Sequence, residues 1–391
     1  MRSTTEAQHL GTGLRVCVAL LLLRAAQCAP ALNYQFFAGL YNETGDTSVA
    51  WYTVTKLGSP FVAANFSAGS NVSWIAQHPS LDVAYAVQES SSGVVGAYAI
   101  DAATHSMSAL GNVQSSGGNF PVHVSVHASG RFLFVANYGG NVAVLPLQPD
   151  GKLSPPVQTL NTGIFAHCVI VSPVSCNHVF VVSFGNDVVH QYVFDLHSAR
   201  LLPNPFGASL ILPPGTGPRH LLIHPFYPMA FIADEGNGTV ALISVCAHDA
   251  ARGTLSFIGS WSAIPEGADA KGLFPSELLL SKDGRFLYVS VREKNQNLTR
   301  DSIAVFSVQP ATSDVRLVAN VPVCWCPRSI TLMEGDAADI IVVGCQLDRR
   351  IETFLVDRES GLLHALGQAP AVDPVAFVGA LAPQQSPCLA H

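Results

Sequence analysis

Six stretches of the chain repeat one plan, and a repeat restricts a fold more tightly than any single motif does. They begin near Val72, Val122, Ala166, Pro218, Pro275 and Pro327, at intervals of 44 to 57 residues. The second shows the plan clearly in "VHVSVHASGRFLFVANYGGNVAVLPL": a short apolar strand, a turn of small polar residues, a strand rich in Phe and Val, a second turn, and a third strand. A unit of this length cannot bury both faces of its own small sheet. Stacking such units side by side does, and a period of this size with several strands per repeat reads as the blade of a β-propeller.

Ahead of the first repeat, "YQFFAGLYN" and "SVAWYTVTK" supply strands for a seventh blade that the C-terminal segment would complete. The expected fold is all-β, a seven-bladed β-propeller with about four antiparallel strands per blade, occupying residues 29–391 as one domain. An eight-bladed ring and a two-sheet sandwich are the alternatives, and the repeat count argues against both. Composition agrees with stacked blades, since 49% of the 391 residues are hydrophobic and only 12% charged. Sheets covered on both faces need apolar strands, which sends polar residues to the turns and to the central channel.

Residues 1–28 read as a secretory signal. Arg2 and Arg15 precede the apolar run from Val16 to Leu23, and the small residues Ala26 and Cys28 fit a cleavage site before Ala29. Secretion or residence in the secretory lumen is therefore expected, and the N-x-S/T triplets at Asn42, Asn65, Asn71, Asn237 and Asn297 suit a glycoprotein. Removing the signal leaves seven cysteines, so at least one is unpaired or bonded between molecules. Cys326 and Cys345 stand at opposite ends of an apparent hairpin where a disulfide is expected.

Several function classes are excluded. The net charge is -7 and Lys and Arg form no runs, which speaks against nucleic acid and against a polybasic membrane patch. No apolar run is long enough to span a bilayer. There is no G-x-S-x-G elbow before a helix, no H-E-x-x-H and no phosphate-binding Gly loop. No cofactor and no metal are expected, the partner is a small molecule, and nothing in the sequence decides the oligomeric state.

The ionisable residues of the stretch from Gly215 to Val245 find a reason in the hairpin. The start of one antiparallel strand lies beside the end of the next, so Arg219 and Glu235 belong at the same rim. With the first strand of each blade innermost, two ranks converge on one mouth of the channel. The strand-start rank is Val122, His167, Arg219, Ser276 and Arg328; the strand-end rank is Glu89, Tyr138, Phe184, Glu235, Arg292 and Gln346.

At these residues the chain resembles a known family. "GPRHLLIHP" followed by "ADEGNGTVAL", with "SKDGRFLYVSVRE" and "DSIAVFSV", is similar to the lactonase-type seven-bladed propellers that include bacterial 6-phosphogluconolactonase and fungal carboxy-cis,cis-muconate cyclase. The resemblance covers nearly the whole mature chain, although "SPVSCNHVF" and "MEGDAADII" depart from the D-G-R turn. It implies chemistry on a lactone ring, either hydrolysis of this ester-type bond or ring formation by a lyase. It also implies a site of His167, Arg219, Arg292 and Glu235.

Those groups suit the chemistry. Opening a lactone needs a base to take a proton from water and fixed cations for the developing oxyanion. His167 is the expected base, Arg219 and Arg292 hold a carboxylate or the oxyanion, and Glu235 orients an Arg or the water. In the cyclase direction His167 or Glu235 would act as acid. Substrate contacts are expected from Glu89, His123, Tyr138, Phe184, His220, Glu277, Arg328 and Gln346, although His123 and His220 could be packing groups and Glu89 and Glu277 could bond a neighbouring blade's backbone. His78, His127 and His224 recur before turns and read as blade-turn residues. A non-catalytic binding propeller, with Arg219 and Glu235 as a structural ion pair, is the competing reading.

Overall fold

The computed structural model describes residues 33–381 apart from 56–57, 237, 239–240 and 295–299. The expected signal peptide and the triplets at Asn237 and Asn297 lie outside the described residues.

Seven antiparallel sheets of four or five strands are present, and six of them run through consecutive strands in chain order. Their innermost strands are Val72–Gln77, Pro121–Val126, Ala166–Val171, Pro218–Ile223, Leu273–Leu280 and Pro327–Met333, which define blades one to six. The seventh blade joins the two ends of the chain. Val375–Ala380 is its innermost strand and pairs with Asn33–Leu40, beyond which lie Val49–Thr55 and Phe61–Phe66. Each innermost strand packs against that of the next blade, and Val375–Ala380 against Val72–Gln77 closes the circle.

The core is divided among the blade interfaces. Seven apolar clusters occur, one between each pair of neighbouring blades. Phe231 and Ile243 of blade four meet Val289 and Phe306 of blade five, for example, and Phe36 and Tyr52 of blade seven meet Ile340 and Val342 of blade six. Each large side chain so buried contributes about 1.5–3 kcal/mol. This is why central strands such as Phe132–Asn137 and Met229–Asp234 are apolar on both faces: both faces are covered.

The recurrent histidines fasten blade to blade. His224 accepts hydrogen bonds at Nδ1 from the backbone N–H groups of Phe226 and Tyr227, so its Nε2 carries the proton and donates to the carbonyl of Gly284 in the next blade at 3.1 Å. His78 does the same with Ser80, Leu81 and Gly130, and His127 reaches the carbonyl of Cys176. Gly130 and Gly284 have φ of +66° and +71°, and a Cβ on either would come within 2.5 Å of the histidine ring. Only glycine fits there, which explains the turns in "ASGR" and "KDGR".

One expectation is corrected. The cysteine bridged to Cys345 is Cys324, not Cys326, with Cα atoms 5.8 Å apart. Cys326 has φ of +61°, its N–H donates to Asp301 Oδ1, and its sulfur faces Gln346, so it is turned away from Cys345. Cys168, Cys246 and Cys326 are free and buried.

His224→Ala should remove the fastening between blades four and five. A loss of about 1–3 kcal/mol is expected, since the two N–H groups and the carbonyl lose their buried partner. Urea denaturation should show a lower midpoint at unchanged slope, with ligand binding in the channel unaffected.

Candidate active site

A β-bulge recurs at one position in the innermost strand of every blade. In blade four Pro218 pairs with Asp234 and His220 with Ala233, which leaves Arg219 as the extra residue. The same shift in register isolates Ser73, Val122, His167, Arg328 and Ala376, and the pair Ser276 and Glu277 in blade five. A bulge bends the strand and re-aims the side chain of the extra residue. Here it brings the whole strand-start rank to one level around the axis.

A second repeated feature places the other rank. The backbone N–H groups of Glu89, Tyr138, Phe184, Glu235 and Gln346 donate to the carbonyls of Asn71, Phe120, Phe165, Gly217 and Cys326 respectively. All five acceptor residues lie in the left-handed region, with φ between 51° and 62°. Four of them are not glycine, and holding such a residue there costs on the order of 1 kcal/mol. The cost is offset by a turn that presents the strand-end residues to the axis at the same height as the bulges.

The two ranks meet as anticipated at blades four and five. Glu235 Oε2 lies 2.9 Å from Arg219 Nε and 2.8 Å from Arg292 Nη2, while Oε1 pairs with Lys294, a residue that the sequence reading had not singled out. Arg219 Nε–H is not aimed at the carboxylate, so that contact is one of charge, whereas Arg292 makes an aligned hydrogen bond. Arg219 also donates through Nη1 to the carbonyl of Ser276, whose hydroxyl donates to the carbonyl of Arg328. Blades four, five and six are thereby linked through the bulges.

Across the axis Arg328 lies 3.9 Å from Glu89 and over the ring of Tyr41, whose hydroxyl donates to Glu89 at 2.7 Å. Tyr41 comes from the blade that joins the chain ends and escaped the sequence reading because it precedes the repeats. The charges of Glu235, Arg219, Glu89 and Arg328 all act on the Tyr138 hydroxyl, so these groups share one field.

Four cations thus face the carboxylates Glu235 and Glu89, with the Glu277 carboxyl also acting on Arg219. Burial raises the proton affinity of Glu235, but Arg292, Arg219 and Lys294 outweigh it and hold the carboxyl far below its ordinary 4.5. Burial, with Arg292 and Arg328 alongside, draws Arg219 down to about 9, still protonated at neutral pH. Burial and Arg292 bring Lys294 to about 8 against the pull of Glu235. The Nε atoms of Arg219, Arg292 and Arg328 have no hydrogen-bond partner among the described residues. A buried excess of positive charge with spare donors favours an anionic ligand.

Below the arginines is a group of imidazoles. His220 Nδ1 and Glu277 Oε1 are 2.7 Å apart, and the His220 ring lies 5.1 Å from that of His167 and 5.6 Å from that of His123. Trp74, also absent from the sequence reading, packs against His123 and His220. Burial first and the arginines second keep His167 and His220 well below 6.5, with His220 adding to the effect on His167, so both are neutral at pH 7. Glu277 does not bond a neighbouring backbone in place of a site residue; its principal partner is His220.

The remaining candidates stand higher at the rim. The rings of Tyr138 and Phe165 stack at 4.4 Å, with Phe184 beside them. Gln346 lies against the Cys326 sulfur, while Val122 is a buried wall. A cleft of about 430 Å³ between Gly139–Asn141 and Gly163–Ile164 opens beside this aromatic wall.

The fold and the site together define a seven-bladed propeller with a cation-rich central channel. The family model described as "Lactonase, 7-bladed beta-propeller" matches residues 35–379, and the chain belongs to that family. It is 29% identical to the 6-phosphogluconolactonase of Bacillus subtilis over 358 residues, covering 87% of this chain and 96% of that one. The corresponding protein of Formosa agariphila is 25% identical over 335 residues, covering 82% and 91%. The solved structure of the periplasmic gluconolactonase PpgL of Pseudomonas aeruginosa superposes with a TM-score of 0.78 at 26% identity, over 90% of this chain and 99% of that one.

Glu235→Gln removes the counter-charge of two buried guanidiniums and should cost about 3–5 kcal/mol at pH 7. Because the native carboxyl is held below 4.5, its stabilisation is complete above that value and disappears as pH falls toward the native pKa. Denaturation of both proteins between pH 7 and pH 3 should therefore show the difference shrinking at low pH.

Proposed function

We propose that the protein hydrolyses a small lactone carrying or developing negative charge, bound at the level of the bulges. The observation that carries this reading is the set of cations facing the axis, buried Arg219 and Arg292 with partly buried Arg328 and Lys294, which outnumbers the carboxylates facing it and retains unpartnered N–H donors on the three arginines. Ring opening places negative charge on the carbonyl oxygen, and preorganised guanidinium donors stabilise that oxyanion more than the neutral carbonyl. Family membership and relatives that bear lactonase names support the same reaction.

The proposed course begins with His167, neutral at pH 7, taking a proton from water as its oxygen bonds to the lactone carbonyl carbon. Arg219 and Arg292 hold the oxyanion or a substrate carboxylate, and Glu235 holds the two guanidiniums in place. Collapse breaks the ring C–O bond, and the proton on His167 passes to the departing alkoxide. Arg328 and Lys294 hold a second polar end of the substrate, with Tyr138 and Phe184 as the wall.

We propose further that the chain enters the secretory pathway. The N-terminal signal pattern and a disulfide between Cys324 and Cys345 support an oxidising compartment. There a non-phosphorylated lactone is the substrate. Of the triplets among the described residues, Asn65 is exposed, whereas the Asn42 amide donates to Asp373. Asn65 is therefore the acceptor we favour.

A panel of purified lactones, with and without a phosphate, tests both points. Wild-type protein should turn over non-phosphorylated lactones, and a strong preference for the phosphate would sink the compartment argument. Arg292→Met should lower kcat by about 10²–10³-fold. His167→Gln should do likewise with little change in melting, while Arg219→Met should also melt earlier because Arg219 ties blade four to Ser276.

A further inference from the structure

We propose that Glu277 and His220 are positioning residues that act through His167, forming a proton relay from blade five through blade four to blade three. The inference rests on the lactonase reading above for its catalytic consequence, but not for its structural content.

Geometry carries it. The three residues sit at the same recurrent bulge, His167 as the extra residue of its strand, Glu277 within the two-residue bulge of blade five, and His220 one place past Arg219. Glu277 Oε1 meets His220 Nδ1 at 2.7 Å and also accepts from the N–H of Leu278, which fixes the carboxyl. The carboxyl therefore orients the His220 ring and leaves Nε2 as its free position. That Nε2 is buried without a hydrogen-bond partner, and so is Nδ1 of His167. Two orphaned ring nitrogens on neighbouring imidazoles, centroids 5.1 Å apart, is a costly arrangement unless each serves the other. A modest ring rotation or one bridging water would connect them, and contacts of this kind commonly tighten only when substrate binds.

The proton balance is simple. As His167 Nε2 accepts the proton of the attacking water, Nδ1–H gives its proton to His220 Nε2, and His220 Nδ1–H gives its own to the Glu277 carboxylate. The reverse sequence returns a proton through His167 Nε2 to the leaving alkoxide. No group outside the three is oxidised, reduced or consumed.

Charges on every side bear on the relay. Arg219, Arg328 and Arg292 oppose protonation of His220 and His167, and Glu235 favours that of His220; the neighbouring His123 is itself held neutral by burial. Burial raises Glu277 to about 7 against the pull of Arg219, so the far end of the relay exchanges its proton near neutral pH. Without that acceptor His167 would stand alone among cations. A bare imidazole there would be a poor base.

The test uses the full mature protein and the variants Glu277→Gln and His220→Gln, with two readouts. The first is independent of turnover: the ¹⁵N resonances of the His167 imidazole, assigned with His167→Gln. In wild type they should change as the pair titrates near pH 7, and in Glu277→Gln that change should vanish while the fold and melting temperature persist. If His167 is insensitive to Glu277→Gln and only His220 responds, the pair is a local structural contact and the relay is overturned. The second readout is kinetic, on whichever lactone wild type accepts. Glu277→Gln should lower kcat by about 10²-fold with KM unchanged and flatten the dependence of kcat/KM near pH 7. A wild-type profile in Glu277→Gln would also overturn the relay. Failure of wild type to open any lactone would refute the proposed hydrolysis, while the resonance experiment would still decide the coupling. His220→Gln guards against misreading a folding defect, since it must reproduce the loss of His167 coupling with Glu277 intact.

Discussion

Closure of the ring is the constraint on which everything else in this protein depends. The innermost strand of the seventh blade comes from the C-terminal end and its three partners from the N-terminal end, so the blade exists only when both are docked. Seven apolar clusters, one per blade interface, then become a continuous belt with no terminal unit left uncovered. A propeller lacking that blade would expose the faces formed by Ile340 and Val342 on one side and by Ala84 and Ala86 on the other. Hydrophobic burial holds the blades together, and the joining blade makes the burial complete.

The channel spends part of that stability. Arg219, Arg292 and Glu235 are buried at their junction, and an ion pair removed from water contributes little to folding by comparison with apolar residues of similar size. Non-glycine residues held at positive φ before several inner strands add to the cost. Both features serve the same end: they set charged side chains from different blades at one height, rigidly, before any ligand arrives. A site assembled this way needs little reorganisation when charge develops within it.

The repeat architecture was legible because burial imposes a pattern at every blade. The seven-blade count and the closing role of both chain ends follow from the internal repeat and the strands left over ahead of it, and the meeting of Arg219 with Glu235 from hairpin geometry. The blade-turn role of His78, His127 and His224 was visible too, since the same residue recurs before the same turn. Lys294 and Tyr41 were not found, because one lies just past a strand end and the other in a blade split between the termini. A clue did exist for Lys294, in a cation two residues after Arg292. The disulfide was misassigned by two residues because the left-handed turn at Cys326 has no signature in a residue type that rarely adopts it.

By itself, then, the sequence determined the blades, their number, their order and which residue types would face the axis, since periodic burial is written locally in each repeat. Which side chains bond to which was decided only in the tertiary structure. His220 and Glu277 are 57 residues apart, and so are Arg292 and Glu235; neither pair is specified until the rotation of one blade against the next is set. That rotation is a property of the closed ring and its bulges. No single blade contains it.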